Sequence, residues 1–392
     1  MKKTFLIVLL LLSCVVIFAQ LNPWLWANNA GGSSNDYGNS IAVDASGNSY
    51  ITGYFEGTAT FGSTTLTSYG WIDIFVAKLD SNGNWLWAKN AGGSSNDYGN
   101  SIAVDASGNS YITGYFGGTI DNFGSTTLIS NGGYDIFVAK LDSNGNWLWA
   151  RNAGGGNPDF GYGIAVDASG NTYVTGYIQS TTANFGSNTL TNSGSNDIFV
   201  AKLDSNGNWV WAKNAGGTKN DYGQGIAIDA NGNSYITGYF DTSATFGLTT
   251  LTSNGSSDIF IAKLDSSGNW LWAKNAGGIV SDIGYGIAVD ASGNSYVTGY
   301  FDYSASFGST LTSKGAYDIF VAKLDSSGNW LWAKNAGGEK YDRGRGIAID
   351  ANGNSYVTGY FDTSASFGST TLTNSGNFDI FVAKLDSNGN WV

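Results

Sequence analysis

Histidine is absent from the 392 residues, cysteine occurs once, at Cys14, and proline only twice, at Pro23 and Pro158. Without histidine there is no Ser-His-Asp or Cys-His nucleophilic system, and zinc sites built on His or Cys are excluded with it. A single cysteine forms no internal disulfide, so stability has to come from packing. The scarcity of proline leaves chain reversal to Ser, Asn and the 57 glycines, a composition that suits many tight turns. Charge is also sparse, at 12 % of residues, with 18 basic against 30 acidic side chains and a net charge of −12. An acidic chain with three arginines lacks the basic footprint that phosphates require, so no nucleic-acid partner is expected.

The apolar share is ample, at 42 %, which argues against disorder. Lys2 and Lys3, the apolar run Phe5–Phe18 and the Ala19-Gln20 junction read as a signal peptide over residues 1–19. Its removal leaves a net charge of −14 and places the protein outside the cell or on its surface. Two alternatives are an uncleaved anchor and a lipid on Cys14, since Leu12-Ser13-Cys14 is an imperfect lipobox. Membrane contact is expected only through such a lipid or through a further C-terminal region, because the chain breaks off early in a repeat.

Internal repetition dominates everything after the leader. Tryptophan pairs begin at Trp24, Trp85, Trp147, Trp209, Trp270 and Trp330, and Trp391 opens another copy; 13 of the 14 tryptophans obey this period of about 61 residues. Each unit holds four strand-like runs, in the first unit Ile41–Ala45, Ser49–Phe55, Ile74–Leu79 and Trp85–Lys89. Ser46-Gly47-Asn48 and Ser81-Asn82-Gly83-Asn84 supply hairpin turns, and Glu56–Asp73 is a longer connection. Four short strands per unit predict an all-β fold: a β-propeller of six four-stranded blades in a single domain, 20–392. The N-terminal run Trp24–Ala30 is expected to complete the sixth blade and close the ring, and an incomplete seven-bladed propeller is the alternative. The paired tryptophans are read as packing between blades.

The segments Gly163–Tyr177 (GIAVDASGNTYVTGY), Asp135–Ala150 (DIFVAKLDSNGNWLWA) and Ala91–Gly99 (AGGSSNDYG) resemble the SBBP β-propeller repeat family, and the likeness runs the length of the mature chain. The resemblance implies a propeller in an exported bacterial protein, a structural or interaction module with no defined activity. It offers no functional residue to carry over.

Little else in the sequence suggests catalysis. Of the 30 acidic residues, 24 are aspartates at four repeated positions, typified by Asp36, Asp44, Asp73 and Asp80. A glycosidase needs two carboxylates in different environments, which sixfold repetition does not supply. Asp80-Ser81-Asn82-Gly83-Asn84 has oxygens spaced like the start of a calcium loop but lacks the glycine at position 6 and the glutamate at 12, so it is read as a turn, with calcium kept as an alternative and no cofactor otherwise expected. The repeated lysines, such as Lys78 and Lys140, are expected to pair with a repeated aspartate.

One position escapes the repetition. Two residues before each IAVD or IAID run stand Asn39, Asn100, Tyr162, Gln224, Tyr285 and Arg345 in turn. Three residues earlier comes a repeated aspartate: Asp36, Asp97, Asp159, Asp221, Asp282 and Asp342. The expectation is that the six aspartates ring the mouth of the channel, attracting a cation or a polyhydroxyl ligand, with Tyr162, Gln224, Tyr285 and Arg345 giving one side its character. The function expected is a non-catalytic structural or interaction module, with adhesion or binding of an extracellular protein or glycan through the face that carries the two long, variable loops, against a propeller-type lyase or hydrolase as the competing class.

Overall fold

The computed structural model describes residues 25–118 and 121–392; residues 1–19, expected to be a signal peptide and including Cys14, and Trp24 lie outside the described residues. The first sheet runs in chain order through β1 (Asp36–Val43), β2 (Ser49–Phe61), β3 (Thr64–Leu79) and β4 (Trp85–Gly93), each antiparallel to the next. Four further sheets repeat that order. The sixth has three strands, Arg343–Ile349, Ser355–Phe367 and Thr370–Leu385.

The segment 56–73, expected as a loop, is instead the distal half of the β2–β3 hairpin. Its TATF and TTL alternation has period two, so Ala59, Phe61 and Leu66 fall on one buried face while the threonines face out. In the second and third sheets this part separates into its own hairpin, Asp121–Phe123 with Thr126–Leu128, and Thr182–Phe185 with Asn188–Thr191.

The hydrophobic cores lie between neighbouring sheets. Tyr50, Ile74 and Val76 of the first sheet pack with Ile112, Phe116, Phe137 and Leu141 of the second, and the pattern repeats along the chain. Both faces of the strands in the middle sheets are therefore covered, which explains their nearly continuous apolar sequence. The two tryptophans of a pair divide the work. Trp85 meets Phe61 of its own sheet edge-on at 5.3 Å, whereas Trp87 reaches the next sheet and donates from Nε1 to the Ser143 carbonyl at 3.2 Å. Trp149, Trp211 and Trp272 make the same bond to the following unit. The repeated lysines sit over aromatic rings rather than in close ion pairs: Nζ of Lys78, Lys140, Lys202, Lys263, Lys323 and Lys384 lies 4.6–5.0 Å from the ring centroid of the tyrosine directly opposite it in the ladder.

The N-terminal run does not add a strand to the sixth sheet among the described residues. Residues 26–30 form no strand; Trp26 donates instead to the Ser81 carbonyl and Gly31 bridges Thr60. These are the contacts a fourth strand makes with the sheet that follows it, so the segment seats on the first sheet as if it ended a preceding one. The outward face of the last sheet is bare: Ile380 and Val382 are 78 % and 62 % exposed, where Ile319 and Val321 are fully buried.

Each first strand slips register once against its partner, between Gly38/Ser40, Gly99/Ser101, Gly161/Gly163, Gly223/Gly225, Gly284/Gly286 and Gly344/Gly346. One residue per sheet is thereby extruded as a β-bulge. The bulge needs room on the second strand. A Cβ on Gly176 would lie 1.9 Å from the Phe160 carbonyl oxygen, and one on Gly53 1.8 Å from that of Tyr37. Gly176→Ala should therefore cost about 3 kcal/mol or more in stability. The exposed Gly376 has nothing within 4 Å of its Cβ position, so Gly376→Ala should leave thermal unfolding unchanged. Circular-dichroism melts of the two variants check this; equal melting temperatures would contradict the bulge account.

Candidate functional site

The six extruded residues are Asn39, Asn100, Tyr162, Gln224, Tyr285 and Arg345, the positions that break the repetition of the sequence. First strands of successive sheets lie side by side. A bulge turns its unpaired residue out of the ladder, and all six side chains line one cavity of about 390 Å³. The strand residues that follow them, such as Ile164, Ile226 and Ile287, form its apolar lining, and Thr358 completes it.

The chemistry of the cavity changes around its circumference. Asn39 and Asn100 donate from Nδ2 to the carbonyls of Gly99 and Gly161 in the adjacent first strands, at 2.9 and 2.8 Å, which leaves each amide oxygen as an acceptor. Tyr162 stacks almost parallel to Phe160 and sits 5.8 Å from Tyr177. The Arg345 guanidinium lies 4.0 Å from the centroid of the Tyr285 ring and donates to the Tyr360 hydroxyl at 3.3 Å. Burial pushes the Tyr285 hydroxyl up, with Arg345 opposing it, so the ring stays a neutral phenol.

Two residues of this corner escaped the sequence reading. Arg343 donates to the same Tyr360 hydroxyl at 2.8 Å, and its guanidinium packs 4.8 and 5.1 Å from the rings of Tyr300 and Tyr317. The signal was present, since Arg343 replaces the aromatic residue of the repeated DYG motif. Tyr360 occupies a repeated position and carried no such mark.

The six aspartates do not ring the mouth, and none of them lines the cavity. Asp97, Asp159, Asp221, Asp282 and Asp342 are fully buried and Asp36 half-buried. Each closes its own loop: Oδ2 accepts from the backbone N–H four residues earlier, of Gly32, Gly93, Gly155, Gly217, Gly278 and Gly338 in turn, at 2.7–2.9 Å. In the last three, Oδ1 accepts from the backbone N–H of Asp241, Asp302 or Asp362. An aspartate at a loop entry satisfies the local backbone more cheaply than it faces five like charges. The calcium-like turns close in the same way, with Asp80 Oδ1 accepting from the N–H of Asn82 and Asn84 and Oδ2 from the Asn84 amide.

The chain is a β-propeller repeat protein. It carries the SBBP β-propeller repeat, whose family model matches residues 18–54, 86–116, 148–185, 210–239 and 331–360. It is 25 % identical over 477 aligned residues to the Uncharacterized WD repeat-containing protein L264 of Acanthamoeba polyphaga mimivirus, covering 93 % of this chain and 34 % of that one. It is 28 % identical over 141 residues to the Regulatory protein FlaEY of Caulobacter vibrioides, covering 35 % of this chain and 15 % of that one. The chain thus spans about a third or less of the curated relatives it matches. Among solved structures it is similar to a protein of unknown function from Bacteroides caccae, at 12 % identity, with 83 % and 90 % of the two chains covered and a TM-score of 0.43. The Neurospora crassa Pan2 WD40 domain gives 8 % identity, 82 % and 85 % coverage and a TM-score of 0.35.

Buried carboxylates give the fold an unusual pH dependence. Burial pushes Asp221 and Asp282 up to about 7, and Asp73, Asp135, Asp318 and Asp342 up to about 6. A raised carboxylate contributes stability that is complete below its unfolded value and is lost as pH rises through the folded one. The turn aspartates act in the opposite sense: the Asn84 amide and N–H hold Asp80 below the usual range, a contribution lost only in stronger acid. The melting temperature should therefore be higher at pH 5 than at pH 8, and Asp221→Asn should reduce that difference. A melting temperature that climbs steadily from pH 5 to 8 would contradict the burial of these groups.

Proposed function

We propose that the protein is an exported, non-catalytic propeller that binds an extracellular ligand at the end of its channel. One observation carries the reading: the bulge position varies along the chain, and all six of its side chains face one cavity. Variation at the lining of one pocket, on strands that are largely copied from unit to unit, supports recognition over bulk scaffolding. A non-enzymatic role fits a cavity whose lining has no carboxylate to act as an acid or base. On this reading the frame is six blades that close into a ring when the N-terminal segment joins the sixth sheet; its seating against the first sheet supports this closure.

Replacing Tyr285 and Arg345 together by Ala should abolish capture of glycan-array or secretome ligands while the melting temperature stays within about 2 °C, since both side chains face the cavity rather than the inter-sheet cores. Undiminished capture by the double variant would reject the cavity as the site.

Export rests on the basic and apolar N-terminus. Mass spectrometry of the protein recovered outside the cell should find Gln20 as the first residue, and a mature form beginning at Cys14 would replace secretion by lipid anchoring.

A further inference from the structure

The channel of this acidic protein is cationic. Two of its three arginines, Arg343 and Arg345, converge on the sixth sheet, while 30 carboxylates are distributed over the rest of the chain. The aspartates nearest in sequence, which would have neutralised them, are turned away into their own loops. What the two guanidiniums touch is aromatic: both donate to the Tyr360 hydroxyl, Arg345 lies 4.0 Å from the centroid of the Tyr285 ring, and Arg343 packs 4.8 and 5.1 Å from the rings of Tyr300 and Tyr317 with its Nε–H buried and unpartnered. Arg345 is the only charged residue in the cavity lining.

Such a guanidinium is oriented and uncompensated. The Tyr285 ring and the Tyr360 hydroxyl hold the fork in place, and no acidic side chain in the described lining competes for its remaining donors. Planar carboxylates are the groups such a fork holds in bidentate fashion. Across the cavity the amide oxygens of Asn39 and Asn100 and the side chain of Gln224 offer the acceptors that sugar hydroxyls require. Building on the proposed ligand site, we infer that the channel takes an acidic carbohydrate: a uronic-acid residue whose carboxylate pairs with Arg345 and whose hydroxyls are received by Asn39, Asn100 and Gln224.

Calorimetric titration of the full mature protein tests this with three probes: trigalacturonate, the neutral galactotriose, and a tripeptide of three glutamates. Trigalacturonate should bind at least about tenfold more tightly than galactotriose, and Arg345→Gln should reduce it to the level of the neutral sugar without moving galactotriose or the melting temperature. Arg343→Gln, which leaves the cavity lining intact and removes one of the two donors to Tyr360, should weaken trigalacturonate less than Arg345→Gln does. Equal binding of the two sugars, both insensitive to Arg345→Gln, would overturn the acidic-ligand inference while leaving the channel as a binding site. Tight binding of the glutamate peptide in preference to trigalacturonate would overturn the carbohydrate assignment alone. Binding of none of the three probes would overturn this inference, and loss of ligand capture in the Tyr285/Arg345 double variant would then decide separately whether the channel binds anything.

Discussion

A β-ladder has no place for an extra residue unless the opposite strand gives way, and here it gives way at a glycine. Tyr37, Tyr98, Phe160 and Tyr222 each bring a carbonyl oxygen within 1.9 Å of where a Cβ on the facing residue would stand, at Gly53, Gly114, Gly176 and Gly238. That close approach permits the bulge, the bulge releases one side chain from the ladder, and the released side chain reaches the channel. Everything distinctive about the protein follows from six repetitions of this one accommodation. A strand with regular pairing would have buried its side chains in the inter-sheet cores, as the flanking isoleucines do.

The same frame settles where charge goes. Aspartates stand at the entry of each first strand and just before the IFVAKL-type run of each third strand, and in the middle sheets they are enclosed, held by backbone N–H groups and glycine-rich loops rather than by cations. Their carboxylates are structural caps whose burial raises their proton affinity. Withdrawn from the channel, they leave Arg345 to set its sign. A chain that is acidic in composition therefore presents a locally cationic cavity, and net charge alone would have misdescribed its preference.

Much of this was legible in the sequence. Tryptophan spacing gave the period, the Ser-Gly-Asn turns gave the strand boundaries, and the break in repetition picked out Asn39, Asn100, Tyr162, Gln224, Tyr285 and Arg345 before any geometry was known. The aspartates three residues earlier were misplaced because a loop-entry Asp can cap its backbone or face the channel, and only side-chain direction distinguishes the two. Segment 56–73 reads as a loop because its strand pattern is written in threonine and glycine rather than in large apolar residues. Arg343 is a less conspicuous departure from the repeat than the bulge position two residues on.

The central proposal is that the six bulges lining one cavity belong to a closed ring, in which the first and last units are neighbours. Residues 20–392 contain no cysteine, which allows spin labels to be placed in pairs without background. Labels on Asn39→Cys and Arg345→Cys, measured by pulsed electron spin resonance, should give the same short and narrow distance as labels on Asn39→Cys and Asn100→Cys, which belong to adjacent sheets. A Asn39–Arg345 distance that is longer and broader than the Asn39–Asn100 distance would show an open array of sheets and contradict the shared channel.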